Sequence, residues 1–378
     1  MGCAPAALVP AEEETDPCAD WVVPQVQGQQ LVFEVAGYGE ASGPSGVELE
    51  AANALLALQQ YHPDFGDELW VGETLAATPV TCGTAVVGVG TPPGIEELFP
   101  EQFPGLEGAF FLPTILEDED GDGQVGEGEI YLGVGLATPV YLRGEIPEFL
   151  SEVGVSEGWS VLQFDSEEGG SVAPEVFESS HIPLPANLWP VERLELSGAV
   201  GETGSAGEGA LRAEDGMAFT PAMGLALVPI QLVGGPAAEA DTGGDRDLLL
   251  DGPLQPDWSM VVEGRPPDDH MYVDDVLDIP VAVEVPVAYE DLDRDGAFDI
   301  ETLESPLLAT CHDGRRVTLN YHSALDDLMY AMFFAVLDYD IGWMLLETQA
   351  DGSDAIKLSG TSLHALEISQ DCELFGAD

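Results

Sequence analysis

Pro113-Thr114-Ile115-Leu116-Glu117-Asp118-Glu119-Asp120-Gly121-Asp122-Gly123 returns 173 residues later as Pro286-Val287-Ala288-Tyr289-Glu290-Asp291-Leu292-Asp293-Arg294-Asp295-Gly296. In each copy an apolar run turns abruptly into carboxylates spaced two apart and closed by glycine. Two weaker echoes flank this pair in the same order. Residues 33–40 resemble 195–202 at an offset of 162, and residues 158–162 resemble 342–346 at an offset of 184. Ordered pairs with slowly growing offsets are what two divergent copies of one unit leave after a few loop insertions. The reading is therefore a tether (1–20), a first domain (21–170), a linker rich in proline (171–190) and a second domain (191–378).

The unit itself reads as strands. The chain's 44 Gly and 28 Pro are spread along its length, as many short strands joined by turns require. Alternation is clear in 30–36, where Leu31, Phe33 and Val35 share a face, and in 316–322, where Val317, Leu319 and Tyr321 do. Similar segments lie at 131–142, 159–164, 191–200, 281–288, 343–348 and 362–368. Two helices are expected. Ser45 and Glu48 form a capping box ahead of Leu49, Leu55, Leu56 and Leu58, with Pro63 closing the segment. Ser323 and Asp326 do the same for 324–337, whose apolar residues on most sides predict a buried helix. The expected class is mainly β with a few helices (α+β), built as two tandem, duplicated, sandwich-like domains.

Charge excludes whole classes of partner. Asp and Glu total 71 against 9 Lys and Arg in 378 residues, a formal net charge of −62. Such a field repels phosphate backbones and anionic headgroups, so nucleic acid is not an expected partner. It favours cations.

Residues 118–129 supply a cation site in order. Asp118, Asp120 and Asp122 offer carboxylates at positions one, three and five, Gly123 makes the turn at six, and Gln124 gives a backbone carbonyl at seven. Val125 at eight is an apolar tether, Gly126 at nine leaves room for a water, and Glu129 at twelve offers two oxygens. In 291–302, Asp291, Asp293 and Asp295 repeat the first three ligands, Ala297 offers the carbonyl and Phe298 is the tether. Thr302 replaces the closing Glu, and Asp299 at nine is the compensating carboxylate, which implies weaker binding. Both loops resemble the DxDxDG calcium loops of EF-hand proteins, in the loop alone. That resemblance implies Ca2+ as the ligand. The flanks at 110–116 and 129–136 read as strands, so no helix pair is present to open on binding. The expected role is a calcium ion that pins a loop between strands.

The ends and cysteines point to a compartment. Met1-Gly2-Cys3-Ala4 resembles the tail of a bacterial lipobox, which implies lipidation of Cys3; a chance cysteine is the alternative. Setting Cys3 aside leaves Cys18, Cys82, Cys311 and Cys372, an even number with three connectivities, of which sequence proximity favours 18 with 82 and 311 with 372. No Cys/His spacing fits zinc. The longest uncharged stretch, 217–238, is broken by proline and glycine, so no transmembrane segment is expected and a lipid anchor would be the only membrane attachment. These features place the chain in the cell envelope or among secreted proteins.

The remaining signals are weaker. Gly121–Gly126 matches GxGxxG, but its aspartates would repel a pyrophosphate. Asp268, Asp269 and His270, followed by Asp274, Asp275 and Asp278, form an acidic cluster with one histidine, read first as a solvated loop. The functional expectation is a calcium-binding protein with a structural or binding role and no catalytic residues. Its alternative is a secreted hydrolase assembled around Asp268, Asp269 and His270. Convergence of a histidine, a nucleophile and a carboxylate in one pocket would favour that alternative.

Overall fold

The computed structural model describes residues 17–37, 44, 46–62, 70–98, 103–126, 128–166, 172–200, 223–229, 251–255, 257–273, 279–290, 298, 308–348 and 355–368. The first half holds β1 (Gln29–Gly37), α1 (Gly46–Ala51), β2 (Ala54–His62), β3 (Trp70–Pro79), β4 (Thr84–Val89), β5 (Glu96–Glu97), β6 (Glu107–Glu117), β7 (Tyr131–Val134), β8 (Thr138–Arg143), α2 (Glu148–Glu152), β9 (Gly158–Ser166), β10 (Val172–Phe177) and β11 (Ile182–Ala186). A three-stranded sheet, β11-β1-β4, faces a larger one ordered β10-β9-β8-β6-β2-β3, with β5 and β7 also pairing with β6. Leu31, Phe33 and Val87 of the small sheet share a core with Leu56, Leu58, Phe111, Ile115 and Val161 of the large one. This is a sandwich-like, β-rich arrangement.

The second half continues with β12 (Arg193–Val200), β13 (Met223–Pro229), β14 (Asp251–Pro253), β15 (Asp257–Glu263), β16 (Tyr272–Val273), β17 (Pro280–Glu290), β18 (Leu308–His312), β19 (Arg315–His322), α3 (Leu328–Leu337), β20 (Gly342–Thr348), β21 (Ala355–Leu358) and β22 (Leu366–Ile368). Its pairings run β21-β20-β19-β17-β13-β14 in one layer and β22-β12-β15 in the other, joined through β18. Each described strand of the second half therefore keeps the pairings of the strand eleven places earlier, apart from the added pairings of β18 with β19 and β22. The one parallel pairing of each small layer, β1 with β11 and β12 with β22, matches too.

Side chains repeat with the strands. The Trp159 indole donates to the Gly90 carbonyl (2.7 Å), and Trp343 donates to Gly264 (2.6 Å). Tyr141 meets Trp159 edge-on at 5.6 Å, as Tyr321 meets Trp343 at 5.1 Å. At the offset of 162 between 33–40 and 195–202, fully buried Phe33 falls opposite exposed Glu195, while the next residue, Leu196, is buried.

Other expectations change as well. The first helix stops at Ala51; Asn53 takes a left-handed conformation (φ 51°), and Leu55, Leu56 and Leu58 belong to β2. That strand lies between β3 and β6 and is buried on both faces, which gives a continuous apolar run without alternation. The later helix begins at Leu328, four residues past the expected start. The Asp327 carboxylate caps it by accepting from the Met329 and Tyr330 amides, so Ser323 and Asp326 do not cap it. Residues 360–364 form a 3-10 turn, leaving only Leu366–Ile368 as strand.

The stretch 171–190 contributes β10 and β11, and Ile182, Leu184 and Ala186 are fully buried in the first core; these residues are structure, not linker. The halves also share a core. Leu112, Leu116, Tyr131 and Leu188 pack with Ile279, Val281, Leu325 and the inner face of α3. Cys18 and Cys82 form a disulfide, closing a separation of 64 residues. Cys311 is also disulfide-bonded, and Cys3 and Cys372 lie outside the described residues. No helix among the described residues is long and apolar enough to cross a membrane.

Candidate metal centre

The first acidic loop connects β6 to β7, two strands in place of the helices that flank an EF-hand loop. Its ends are pinned by backbone bonds. The Glu117 amide donates to the Ile130 carbonyl (2.9 Å), and the Asp118 amide donates to Asn53 (3.2 Å), at the left-handed turn before β2. Asn53 was invisible to motif reading because its role depends on where β2 begins. The Tyr131 amide, just past the loop, donates to Leu325 (2.9 Å), and Val125 packs against the shared core as an apolar tether should.

Inside the loop the carboxylates turn inward. Asp118 is buried at 6% exposure; its two oxygens accept from the Asp122 amide (3.1 Å) and the Gly123 amide (3.0 Å). Asp120 accepts from the Asp122 amide (3.0 Å), and Asp122 from the Gln124 amide (2.7 Å). Gly121 and Gly123 have φ of 70° and 74°, the left-handed values that let so tight a coil close. Oxygens of Asp118, Asp120 and Glu129 lie within 4.8 Å of one another. Asp122 stands outside this trio, its carboxylate turned to the Gln124 amide.

Glu129 is the unusual member. It is 8% exposed, and its Oε2 is buried with no hydrogen-bond partner. Burial raises its pKa most. The Gly126 amide opposes that shift, while Asp118, Asp120 and Asp122 add to it. A buried carboxylate that leaves one oxygen without a donor and lies beside two other carboxylates is poor on its own terms. It becomes favourable when a hard cation takes the shared position. The donors are all oxygens, the type of ligand that hard cations take.

In the second loop, Asp291, Asp293, Asp295, Ala297 and Asp299 lie outside the described residues. The tether Phe298 is described. It is buried and meets Tyr289 of β17 edge-on at 5.1 Å. Cys18, Cys82 and Glu50 also approach one another, but both sulfurs are held in the disulfide, so no thiolate is offered.

Of the acidic cluster, Asp274, Asp275 and Asp278 lie outside the described residues; Asp268, Asp269 and His270 are described. The His270 side chain is fully buried, and its Nδ1 lies 2.8 Å from Glu284, also fully buried; Asp268 is exposed and pairs with Arg265. Burial pushes the Glu284 carboxyl upward, and the His270 contact partly opposes this.

A histidine, a serine and carboxylates do converge elsewhere. An open groove of about 720 Å³ is lined by Ser197, Asp257, Ser259, His364 and Glu367, and Ser197 Oγ lies 3.1 Å from His364 Nδ1. Ser197 sits mid-strand, between β15 and β22. Among the described residues no carboxylate bonds the other ring nitrogen of His364, so nothing orients the imidazole as a base. The groove is a polar sheet surface.

No protein-family model, no curated protein and no solved structure matches this chain.

Proposed function

We propose that this chain is a calcium-binding protein of the cell envelope or extracellular space, with a structural or binding role and no catalysis. The observation that carries the reading is Glu129, which is buried, keeps an unpartnered Oε2 and brings a carboxylate oxygen within 4.8 Å of oxygens of Asp118 and Asp120. Ca2+ held there would tie β6, β7 and the β2 turn together and relieve carboxylate repulsion. Glu129 and Asp118 would hold the ion from inside and Asp120 from the solvent side. The shared topology and the repeated Trp–Gly and Tyr–Trp contacts support two copies of one unit, with 291–302 as the second, weaker loop. The disulfides support an oxidising compartment. Attachment through a lipid on Cys3 belongs to the same reading, and the mass of the native N-terminus tests it.

Calcium titration with a melting readout tests the central claim. At a tenfold excess over Kd, one site adds about 1.4 kcal/mol. Asp120→Ala, at an exposed position, should abolish the first loop's share. A melting temperature indifferent to calcium overturns the proposal.

A further inference from the structure

We propose that α3 is a docking face for a basic, amphipathic protein segment, one with an apolar face bordered by Lys and Arg. The helix, Leu328-Met329-Tyr330-Ala331-Met332-Phe333-Phe334-Ala335-Val336-Leu337, contains no charged residue. Its inner face is satisfied, since Leu328, Ala331, Phe334 and Ala335 are buried in the shared core. Its outer face is not. Met329, Phe333, Val336 and Leu337 are 46%, 46%, 64% and 42% exposed, and their spacing of four, three and one places them on one stripe. The apolar area they present is on the order of 400 Å², a size at which patches on monomers are often functional.

The feature occurs twice in the molecule. α2 occupies the place of α3 in the first half, between β8 and β9. At the offset of 184 shared by the two Gly-Trp strands, Phe149 corresponds to Phe333 and Val153 to Leu337; they are 49% and 39% exposed. The residue after each phenylalanine, Leu150 or Phe334, is buried. Each helix also closes alike. Val155 donates to the Leu150 carbonyl (3.0 Å) and Tyr339 to the Phe334 carbonyl (2.9 Å). Thus the same two positions expose apolar side chains in both halves, while the residue after each phenylalanine faces inward.

Charge selects the occupant. Asp326 and Asp327 stand exposed before α3 and Asp338 after it, and α2 carries exposed Glu148 and Glu152 around Phe149. An apolar stripe between carboxylates complements an apolar stripe between cations. A second copy of this chain is a poor occupant, because each brings a net charge of −62 and the same acidic borders. An anionic lipid surface is repelled for the same reason.

A short helical Leu/Lys peptide is the probe, against a Ser/Lys peptide of equal charge, with binding to the full chain followed by fluorescence anisotropy at physiological salt. The Leu/Lys peptide should bind at least about tenfold more tightly. Phe333→Gln combined with Val336→Gln should remove that advantage while leaving net charge, circular dichroism and melting unchanged. Equal binding of the two peptides, or equal binding by the variant, overturns the proposal, because charge alone then accounts for the affinity. So does a concentration-dependent dimer in sedimentation that the double variant abolishes, which would make a second copy the occupant. Flotation with phosphatidylcholine vesicles that the variant abolishes would assign the face to lipid and overturn it equally.

Discussion

Glu129→Gln should change stability in opposite directions with and without calcium. The carboxylate is 8% exposed, and its Oε2 has no donor. One of its oxygens lies within 4.8 Å of one oxygen each of Asp118 and Asp120. A buried, unsatisfied polar group costs about 1–3 kcal/mol, more when charged. The amide keeps the shape, removes one negative charge from the cluster and supplies an N–H for a neighbouring carboxylate. In chelator the variant should therefore be more stable than the parent by about 1–2 kcal/mol, or roughly 2–8 °C in a body of this size. With calcium the order reverses. The parent gains about 1.4 kcal/mol at a tenfold excess over Kd, whereas the variant loses the oxygen pair that closes the site and gains little. The assay is differential scanning fluorimetry of both proteins in chelator and across a calcium series. A variant that melts below the parent in chelator would show that the Glu129 carboxylate is already satisfied. One that keeps the full calcium shift would show that Glu129 is not a ligand. Either result refutes the reasoning.

Two further perturbations test the second half. Burial, with Asp338 beside it, pushes Asp340 up to about 7, while burial pushes Lys357, its partner at 3.0 Å, down to about 7. An acid with a raised folded pKa favours folding while protonated. Its contribution is full below its ordinary 3.8 and is lost as pH rises through about 7. Lys357 stays charged in both states through most of that window, so its attraction trims the Asp340 slope below the roughly 4 kcal/mol of the bare shift. Asp340→Asn should flatten the fall in melting temperature between pH 4 and 7; parallel curves for parent and variant would contradict this. Trp343→Phe should cost about 2–4 kcal/mol in urea denaturation, since the indole is fully buried and its loss strands the Gly264 carbonyl. Trp159→Phe loses the matching bond to Gly90 at a half-buried site and should cost about 1 kcal/mol; equal costs would show that the second core is not built around its indole.

Strands with one wet face were readable from alternation, and the β1 and β19 segments lie where the pattern placed them. β2 was not readable, because burial on both faces erases the period-two signal and leaves a leucine run that equally suits a helix. The β19 pattern was legible on one side only. Thr318 and His322 occupy its other face, yet they are buried too, and His322 meets Phe334 of α3 edge-on at 5.0 Å. The α3 start was misplaced because Ser323 and Asp327 both satisfy the capping rule, and only the local backbone selects between them.

Spacing along the chain was enough to mark 118–129 as a candidate cation loop, because carboxylates two apart and a glycine that turns are local features. Composition determined the sign of the net charge. Tertiary structure decided everything that depends on distant neighbours. It buried Glu129 and left one oxygen without a donor, buried His270 against Glu284, and turned half of an apolar helix outward. Those outcomes rest on which surfaces lose water, and desolvation is settled by packing between segments up to hundreds of residues apart, which no local pattern encodes.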